Sequence, residues 1–195
     1  MELGQVAGDP LVVQVVDRLA RCGTTDLAAS LAARLGAHGL RSELWAVRAE
    51  GVGLPGLDPG AEREGATALE ARGLASRTLV LDARRPVAWR VLRLAAALRA
   101  QRVAVVHAHS RPADLWAVSA GFLARTPARL YSRQATYGGF SSANRLRYGL
   151  VSRLASRVVA VSEAVAEHLL RREGVAAARI ARIHDGIELE ALDGA

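Results

Sequence analysis

The sequence contains no lysine, a single cysteine and few aromatic residues, and these shortages exclude several classes of protein. Because Cys22 is the only cysteine, no internal disulfide can form, and a reducing compartment such as the cytoplasm fits best. No apolar run approaches the roughly 20 uncharged residues that a membrane-spanning helix needs. Residues 1–9 lack the basic and apolar parts of a signal peptide. The chain is nevertheless rich in apolar residues, 51% of 195, which suits one folded α/β domain.

Positive charge is carried by arginine alone, and it is distributed unevenly. All 26 basic residues are arginine, and the formal net charge is +7. Such usage is typical of a GC-rich genome, and with 4% aromatic residues and no recognition motif a nucleic-acid partner is not expected. Between Leu115 and Ser162, however, seven arginines occur and no carboxylate. A stretch of one sign predicts a surface that faces a phosphate, a diphosphate or a lipid headgroup.

Apolar runs that alternate with helical periodicity predict a Rossmann-like, doubly wound and mostly parallel α/β sheet. The first helix is expected to bury Leu27, Leu31 and Leu35, and the helix opened by Pro112 to bury one side that includes Phe122. Residues 10–187 are predicted to form a single domain after an N-terminal tail at 1–9. The predicted strands are 11–16, 43–47, 78–81, 103–106, 128–132, 158–161 and 180–183, and the helices between them include 63–71, 144–155 and 163–172.

The first strand–helix loop is a candidate phosphate site. In doubly wound sheets ligands bind beyond the carboxyl ends of the strands, where helix N-termini present free amides. Gly23 would let a ligand approach the backbone, and Thr24 follows it. The loop has neither a GxGxxG nor a GK[ST] pattern, so dinucleotide and P-loop binding are not favoured. An ordinary turn with Thr24 or Thr25 as the helix N-cap explains the same residues.

Two histidines follow the buried strand at 103–106. His107 and His109 are separated by one residue, so both side chains lie on one side if the strand continues. No second cluster of ligand-type residues offers the third ligand that a metal would require. Either the histidines hydrogen-bond a substrate or they make structural hydrogen bonds near the next helix.

The loop 133–139 combines several polar groups directly after a strand. Arg133 is a natural bidentate partner for phosphate oxygens, and Gln134 and Tyr137 add an amide and a phenol. A solvated loop is the alternative. Further along, Ser162 and Glu163 have the pattern of a helix start, with a capping hydroxyl and a carboxylate that favours the helix dipole.

In order and spacing, these segments together resemble the N-terminal domain of family 4 glycosyltransferases, which have the GT-B fold. The likeness covers nearly the whole chain, and it is most specific in the last two segments. The matching segments are GTTD at 23–26, VVHAHS at 105–110, SRQ at 132–134, RVVAVSE at 157–163, GV…RI at 174–180 and IHDGI at 183–187.

The resemblance implies the acceptor-binding half of a retaining glycosyltransferase, in which a second domain binds the nucleotide-sugar donor. It implies an acceptor that is a glycan or is linked to a lipid, as in cell-envelope glycan synthesis, and a cytoplasmic protein at the membrane surface. No metal or other cofactor is expected. Residues 188–195 would begin an interdomain linker, and the donor domain would be absent. Together, the loops and the resemblance predict catalysis by His109 and Gln134, and substrate or phosphate binding by Gly23, Thr24, His107, Arg133, Tyr137, Ser162 and Glu163.

Two departures from the family pattern affect these roles. Thr24 replaces a second glycine, which restricts approach to the backbone, and Gln134 replaces a frequent histidine, so it can hydrogen-bond but cannot titrate. The alternative hypothesis is a non-catalytic Rossmann-like module that recruits a partner to an anionic membrane. That hypothesis depends on a leucine stripe flanked by arginines, which comprises Leu146, Leu150 and Leu154 with Arg145, Arg147, Arg153 and Arg157.

Overall fold

Seven stretches of the chain form one sheet in which every strand runs parallel to its neighbours. The structure is a computed structural model, and it describes residues 9–20, 22–50, 59–71, 73–82, 84–111, 113–136 and 141–186. The predicted parallel α/β fold is confirmed. The strands are β1 (Leu11–Val16), β2 (Arg41–Glu50), β3 (Ala75–Asp82), β4 (Val105–Ala108), β5 (Ala128–Arg133), β6 (Arg157–Ala160) and β7 (Ile180–Arg182).

Helices connect the strands, and local sequence explains several of their ends. Ser141 and Ser162 accept hydrogen bonds from backbone amides of the first turns that they precede, as N-caps do. Gly39 closes the first helical segment with φ at 70°, a left-handed conformation that favours glycine. In the described residues the helices are α1 (Gly23–Leu35), α2 (Pro59–Ala71), α3 (Val87–Ala100), α4 (Ala113–Ala124), α5 (Ser142–Leu154) and α6 (Glu163–His168), with a π-helical turn at Leu169–Glu173 and short 3-10 turns at Gly36–His38 and Ala177–Arg179.

The strand order places the chain's change of direction at the centre of the sheet. The order is β3-β2-β1-β4-β5-β6-β7, so the chain first builds outward from β1 to β3 and then returns to add β4 beside β1. Right-handed crossovers therefore place α1 and α2 on one face of the sheet and the later helices on the other. Two separate apolar clusters occupy these two faces.

Small residues, rather than the predicted large ones, form the buried faces of two helices. α1 buries Thr25 and three alanines, while Leu27, Leu31 and Leu35 are only partly buried. On α4, Phe122 is 51% exposed, and Gly121 lies so close to β4 that an added Cβ would be 2.7 Å from the Val106 side chain. The predicted faces were largely wrong, because mostly small residues lie where these helices approach the sheet, although Val118 of α4, which was also on the predicted side, is buried.

Strands and helices differ from prediction mainly at their ends. β2 and β3 are longer than expected, and the predicted 163–172 helix changes from α to π geometry at Leu169. Among the helices of the described ranges, none combines the length and the apolar character needed to cross a membrane.

Gly65 is a position where the backbone packing requires glycine. It is buried in α2, and a Cβ there would be 2.0 Å from the Leu19 carbonyl oxygen, a contact with backbone that cannot rotate away. We expect Gly65→Ala to lower the free energy of unfolding by about 1–3 kcal/mol, because α2 would have to shift. Urea denaturation measures the change. Gly36→Ala is the matched control, since its Cβ would meet nothing within 4 Å; equal losses in the two variants would contradict the prediction.

Candidate functional site at the centre of the sheet

The crevice predicted for a doubly wound sheet lies where β1 and β4 are neighbours. β1 leads into α1 and β4 leads toward α4, which lie on opposite faces, so the carboxyl ends of these strands open between two diverging connections. Gln14 of β1 is opposite His107 of β4. The pairing continues one step past β4, where the His109 amide donates to the Val15 carbonyl at 2.9 Å.

His107 and His109 lie side by side on one face of the sheet. Both are buried, and their ring centroids are 4.1 Å apart. His107 shares a hydrogen bond of 2.8 Å between Nε2 and the Ser132 hydroxyl, and His109 donates from Nε2 to Gln14 Oε1 at 2.7 Å. The sequence-based expectation that the two rings share one side is therefore confirmed.

Burial keeps both imidazoles neutral. It lowers the pKa of His107 to about 4, and it also lowers the pKa of His109, which the neighbouring His107 depresses further. At neutral pH these rings therefore act as hydrogen-bonding groups without charge. With Nε2 of His109 donating to Gln14, its Nδ1 carries the lone pair and can accept a hydrogen bond.

Several buried polar atoms at this edge lack a partner. Nδ1 of His109 and the side-chain amide nitrogens of Gln14 and Gln134 have no hydrogen-bond partner among the described residues. An unpaired buried polar group costs roughly 1–3 kcal/mol, so such groups are rare unless a ligand or water completes them. This combination of one acceptor and two amide donors suits the hydroxyl groups of a sugar.

A hydrogen bond across the end of β4 joins the other two predicted loops. Thr24 donates from its hydroxyl to Gln134 Oε1 at 2.8 Å, although 110 positions separate the two residues. Thr24 follows β1 and Gln134 follows β5, and the strand order puts β4, with His109 just beyond it, between them. Three loops that sequence analysis singled out thus meet at one edge.

The N-terminus of α1 adds amide donors to the same edge. Gly23 is exposed and a Cβ there would meet nothing within 4 Å, so the protein's own packing does not demand glycine. The first amides of a helix have no intrahelical acceptor and can bind an anion. The N-cap is Cys22, which makes no side-chain capping bond, so the predicted capping by Thr24 or Thr25 was wrong.

Arg133 has partners that differ from the predicted phosphate. Its side chain is only 1% exposed and donates to Asp114 at 2.7 Å and to Glu173 at 2.8 Å. Burial alone would lower the pKa of Arg133, but these two carboxylates raise it above its ordinary value. The residue therefore ties β5 to α4 and to the π-helical turn, two contacts that the predicted role in binding phosphate did not include.

The other predicted site residues have local structural roles or lie outside the described part. Ser162 caps α6, and Glu163 forms an ion pair with Arg182. Tyr137 falls outside the described residues. Within the described ranges, no group of three or more histidine, cysteine, aspartate or glutamate side chains could hold a metal ion.

Four residues of this region were not predicted from the sequence: Gln14, Ser132, Asp114 and Glu173. Gln14 carried a usable signal, because it is the one polar residue in the run LVVQVV. A buried strand that contains an amide must satisfy it, and the partners lie on neighbouring strands. Asp114 and Glu173 carried no such signal, since each looks like an ordinary helical carboxylate until the fold brings Arg133 between them.

Comparisons with known proteins identify the family of this chain. The family model described as Glycosyltransferase Family 4 matches residues 23–191. The chain belongs to glycosyltransferase family 4. The recognition made from the sequence segments is therefore confirmed. A search of curated proteins finds no match.

Solved structures with the same fold include glycosyltransferases about twice as long. A glycosyltransferase from Rickettsia africae ESF-5 is 21% identical, with a TM-score of 0.65 over 95% of this chain and 45% of its own. HepE from Anabaena, in complex with UDP and glucose, is 14% identical, with a TM-score of 0.65 over 93% of this chain and 46% of its own. MurG from Acinetobacter baumannii is 12% identical, with a TM-score of 0.60 over 92% and 47%. This family 4 chain thus spans less than half the length of these structures.

Proposed function

We propose that this chain is the acceptor-binding half of a retaining glycosyltransferase that transfers a sugar from a nucleotide-sugar donor to a glycan or lipid-linked acceptor. The observation that carries the proposal is the set of buried polar atoms on His109, Gln14 and Gln134 that have no partner within the described part of the chain. Membership of family 4 gives the reaction class, and the geometry of the crevice supports the assignment of acceptor binding to this half.

Different residues at the crevice would bind the acceptor and the diphosphate of the donor. His109 would accept a hydrogen bond at Nδ1 from an acceptor hydroxyl, and the amide of Gln134 would donate to a neighbouring sugar oxygen. Because the pKa of His109 lies well below 6.5, its role is to orient the hydroxyl rather than to hold a proton. The amides of Gly23 and Thr24 would face the diphosphate of the donor.

The donor would be bound by a second domain. The matching structures are about twice as long as this chain, and one of them, HepE, contains UDP and glucose. We propose that residues 188–195 lead toward such a domain. Backbone amides and arginines would stabilise the leaving diphosphate without a resident metal. The protein would work in the cytoplasm at the membrane surface.

The acceptor role predicts sugar binding by the isolated chain. A panel of methyl glycosides, screened by ligand-observed NMR, should contain at least one that binds the 195-residue chain. His109→Ala should weaken that binding at least about tenfold, because the orienting hydrogen bonds are lost. His38→Ala, which removes an exposed histidine from the turn after α1, is the matched control. Equal binding by the His109 variant and the wild type would refute the assignment.

Turnover separates the half-enzyme proposal from its alternatives. The chain alone, mixed with UDP-sugars and a glycoside that it binds, should release no UDP above background, because the proposal assigns donor binding to a second domain. Robust transfer by the chain alone would show that it is not half of an enzyme. A chain that binds none of the glycosides would instead fit the non-catalytic module.

A further inference from the structure

The outer face of α5 is apolar and strongly basic at the same time. Leu146 is 67% exposed and Leu150 is 50% exposed, and the two side chains are one helical turn apart. Arg145 and Arg153 are exposed beside them. Spacings of three, four and eight residues place these side chains along one side of the helix.

A groove runs along this side of the helix. It has a volume of about 360 Å³, and its walls include Arg145, Leu146, Gly149, Leu150 and Arg153 of α5 and Gly174 of the turn that follows the π-helical segment. We call these six residues the α5 face. Gly149 lies between the two arginines, and its lack of a side chain keeps the middle of the groove open.

Leu154 does not belong to this face. It packs against the main core cluster, so only two of the three leucines in the predicted stripe are available to a partner. The sequence pattern overestimated the stripe because residues four apart drift around a helix of 3.6 residues per turn, which brings Leu154 to the side where Val151 also packs against the core.

The arginines of the α5 face have no carboxylate partners in the described residues. The nearby carboxylates are engaged elsewhere: Glu173 is buried against Arg133, Glu163 pairs with Arg182, and Glu167 pairs with Arg171. The face therefore has uncompensated positive charge, which complements a surface rich in phosphate groups.

Helix α3 has a similar composition but a different arrangement. Leu92 is 58% exposed there. Its arginines, however, already have partners: Arg93 lies over the Trp89 ring, Arg90 over the Trp116 ring, and Arg99 donates to the Leu123 carbonyl. Exposed leucine thus occurs on both helices. What distinguishes α5 from α3 is that its exposed arginines have no partner in the described chain.

We propose that the α5 face docks the protein onto an anionic phospholipid bilayer. Arg145 and Arg153 bind lipid phosphates, and Leu146 and Leu150 enter the boundary between headgroups and acyl chains. Two apolar side chains flanked by cations match the two layers of a bilayer surface, apolar beneath and anionic above. The inference rests on the membrane-surface part of the proposed function and names its contact, and vesicle binding tests it separately from sugar binding and transfer.

Vesicle binding tests the proposal with the full 195-residue chain. In a co-sedimentation assay the protein should bind vesicles that contain phosphatidylglycerol and should not bind vesicles of phosphatidylcholine alone. Binding should weaken as salt rises from about 50 mM to about 0.5 M, because the screening length falls several-fold. Absence of binding to the anionic vesicles, or equal binding to both kinds, would overturn it.

Charge reversal locates the surface. Arg145→Glu with Arg153→Glu should reduce binding by about thirtyfold or more, since each arginine near an anionic surface contributes about fivefold. Arg34→Glu with Arg63→Glu is the matched control, because both residues are exposed on helices and the change in net charge is the same. Equal losses in the two variants would overturn the assignment to α5.

A fluorescent label reports insertion independently of affinity. In a Cys22→Ser background, an environment-sensitive fluorophore on Leu146→Cys should shift to the blue on anionic vesicles, while the same label on Leu92→Cys of α3 should not. A blue shift at Leu92 alone would show that α3, and not α5, contacts the membrane, and it would overturn the proposal. Binding to soluble polyglutamate but not to vesicles would show that the partner is an acidic polypeptide and would also overturn the proposal.

Discussion

Replacing Arg133 with methionine is expected to lower the free energy of unfolding by about 3–5 kcal/mol. The substitution would leave Asp114 and Glu173 buried without the cation that both now contact, and their side chains are only 2% and 0% exposed. A buried carboxylate without a partner either pays a large desolvation cost or takes up a proton. Since a typical domain is stable by only about 5–15 kcal/mol, the loss should be obvious in a urea titration.

A triple variant tests whether unpaired charge is the cause. Arg133→Met combined with Asp114→Asn and Glu173→Gln removes the cation and both negative charges, so it should recover roughly half of the lost stability. The amide in place of Asp114 still has an oxygen to accept the Leu115 amide, as the carboxylate does now. If the triple variant is less stable than the single one, the ion-pair explanation is wrong.

Acid should destabilise the protein through His107. Its pKa is about 4 in the folded chain against 6.5 for an unperturbed imidazole. The unfolded chain therefore binds a proton that the folded chain does not, so stability is full above pH 6.5 and falls as the pH drops toward 4. The full difference corresponds to about 3 kcal/mol from this residue, and His109, which is shifted in the same direction, adds to it.

The pH dependence should disappear in part when His107 is made non-titratable. His107→Gln keeps a group that can hydrogen-bond to Ser132, and we expect the fall in unfolding free energy between pH 6.5 and 4 to become shallower by about 3 kcal/mol. His38→Gln provides the reference, because His38 is exposed. An unchanged slope in the His107 variant would show that burial does not depress the pKa as described.

Much of the fold could be predicted because its strands are continuous apolar runs. Leu11–Val16 forms β1 with the predicted bounds, and the parallel order follows from alternating strands and helices. The helix faces could not be predicted in the same way. Leu27, Leu31 and Leu35 have ideal helical spacing, yet alanines lie against the sheet, because the distance between helix and sheet decides which side chains fit and no local pattern encodes that distance.

The site was predictable as a set of loops and not as a set of contacts. Thr24, His109 and Gln134 each follow a strand, and parallel strands bring their carboxyl ends together, so their meeting follows from topology. The partners of Arg133 are 19 and 40 positions away. Nothing in the surrounding residues distinguishes a cation that will bind phosphate from one that two distant carboxylates will neutralise.

The same two sequence separations have a consequence for the rate at which the fold is lost. The contacts of Arg133 join β5, α4 and the π-helical turn, so we expect them to form only after most of the second half of the sheet has assembled. Interactions that are absent from the folding transition state act mainly on the unfolding rate. We therefore expect Arg133 to add little to the rate of folding and to slow unfolding, which prolongs the lifetime of the folded chain.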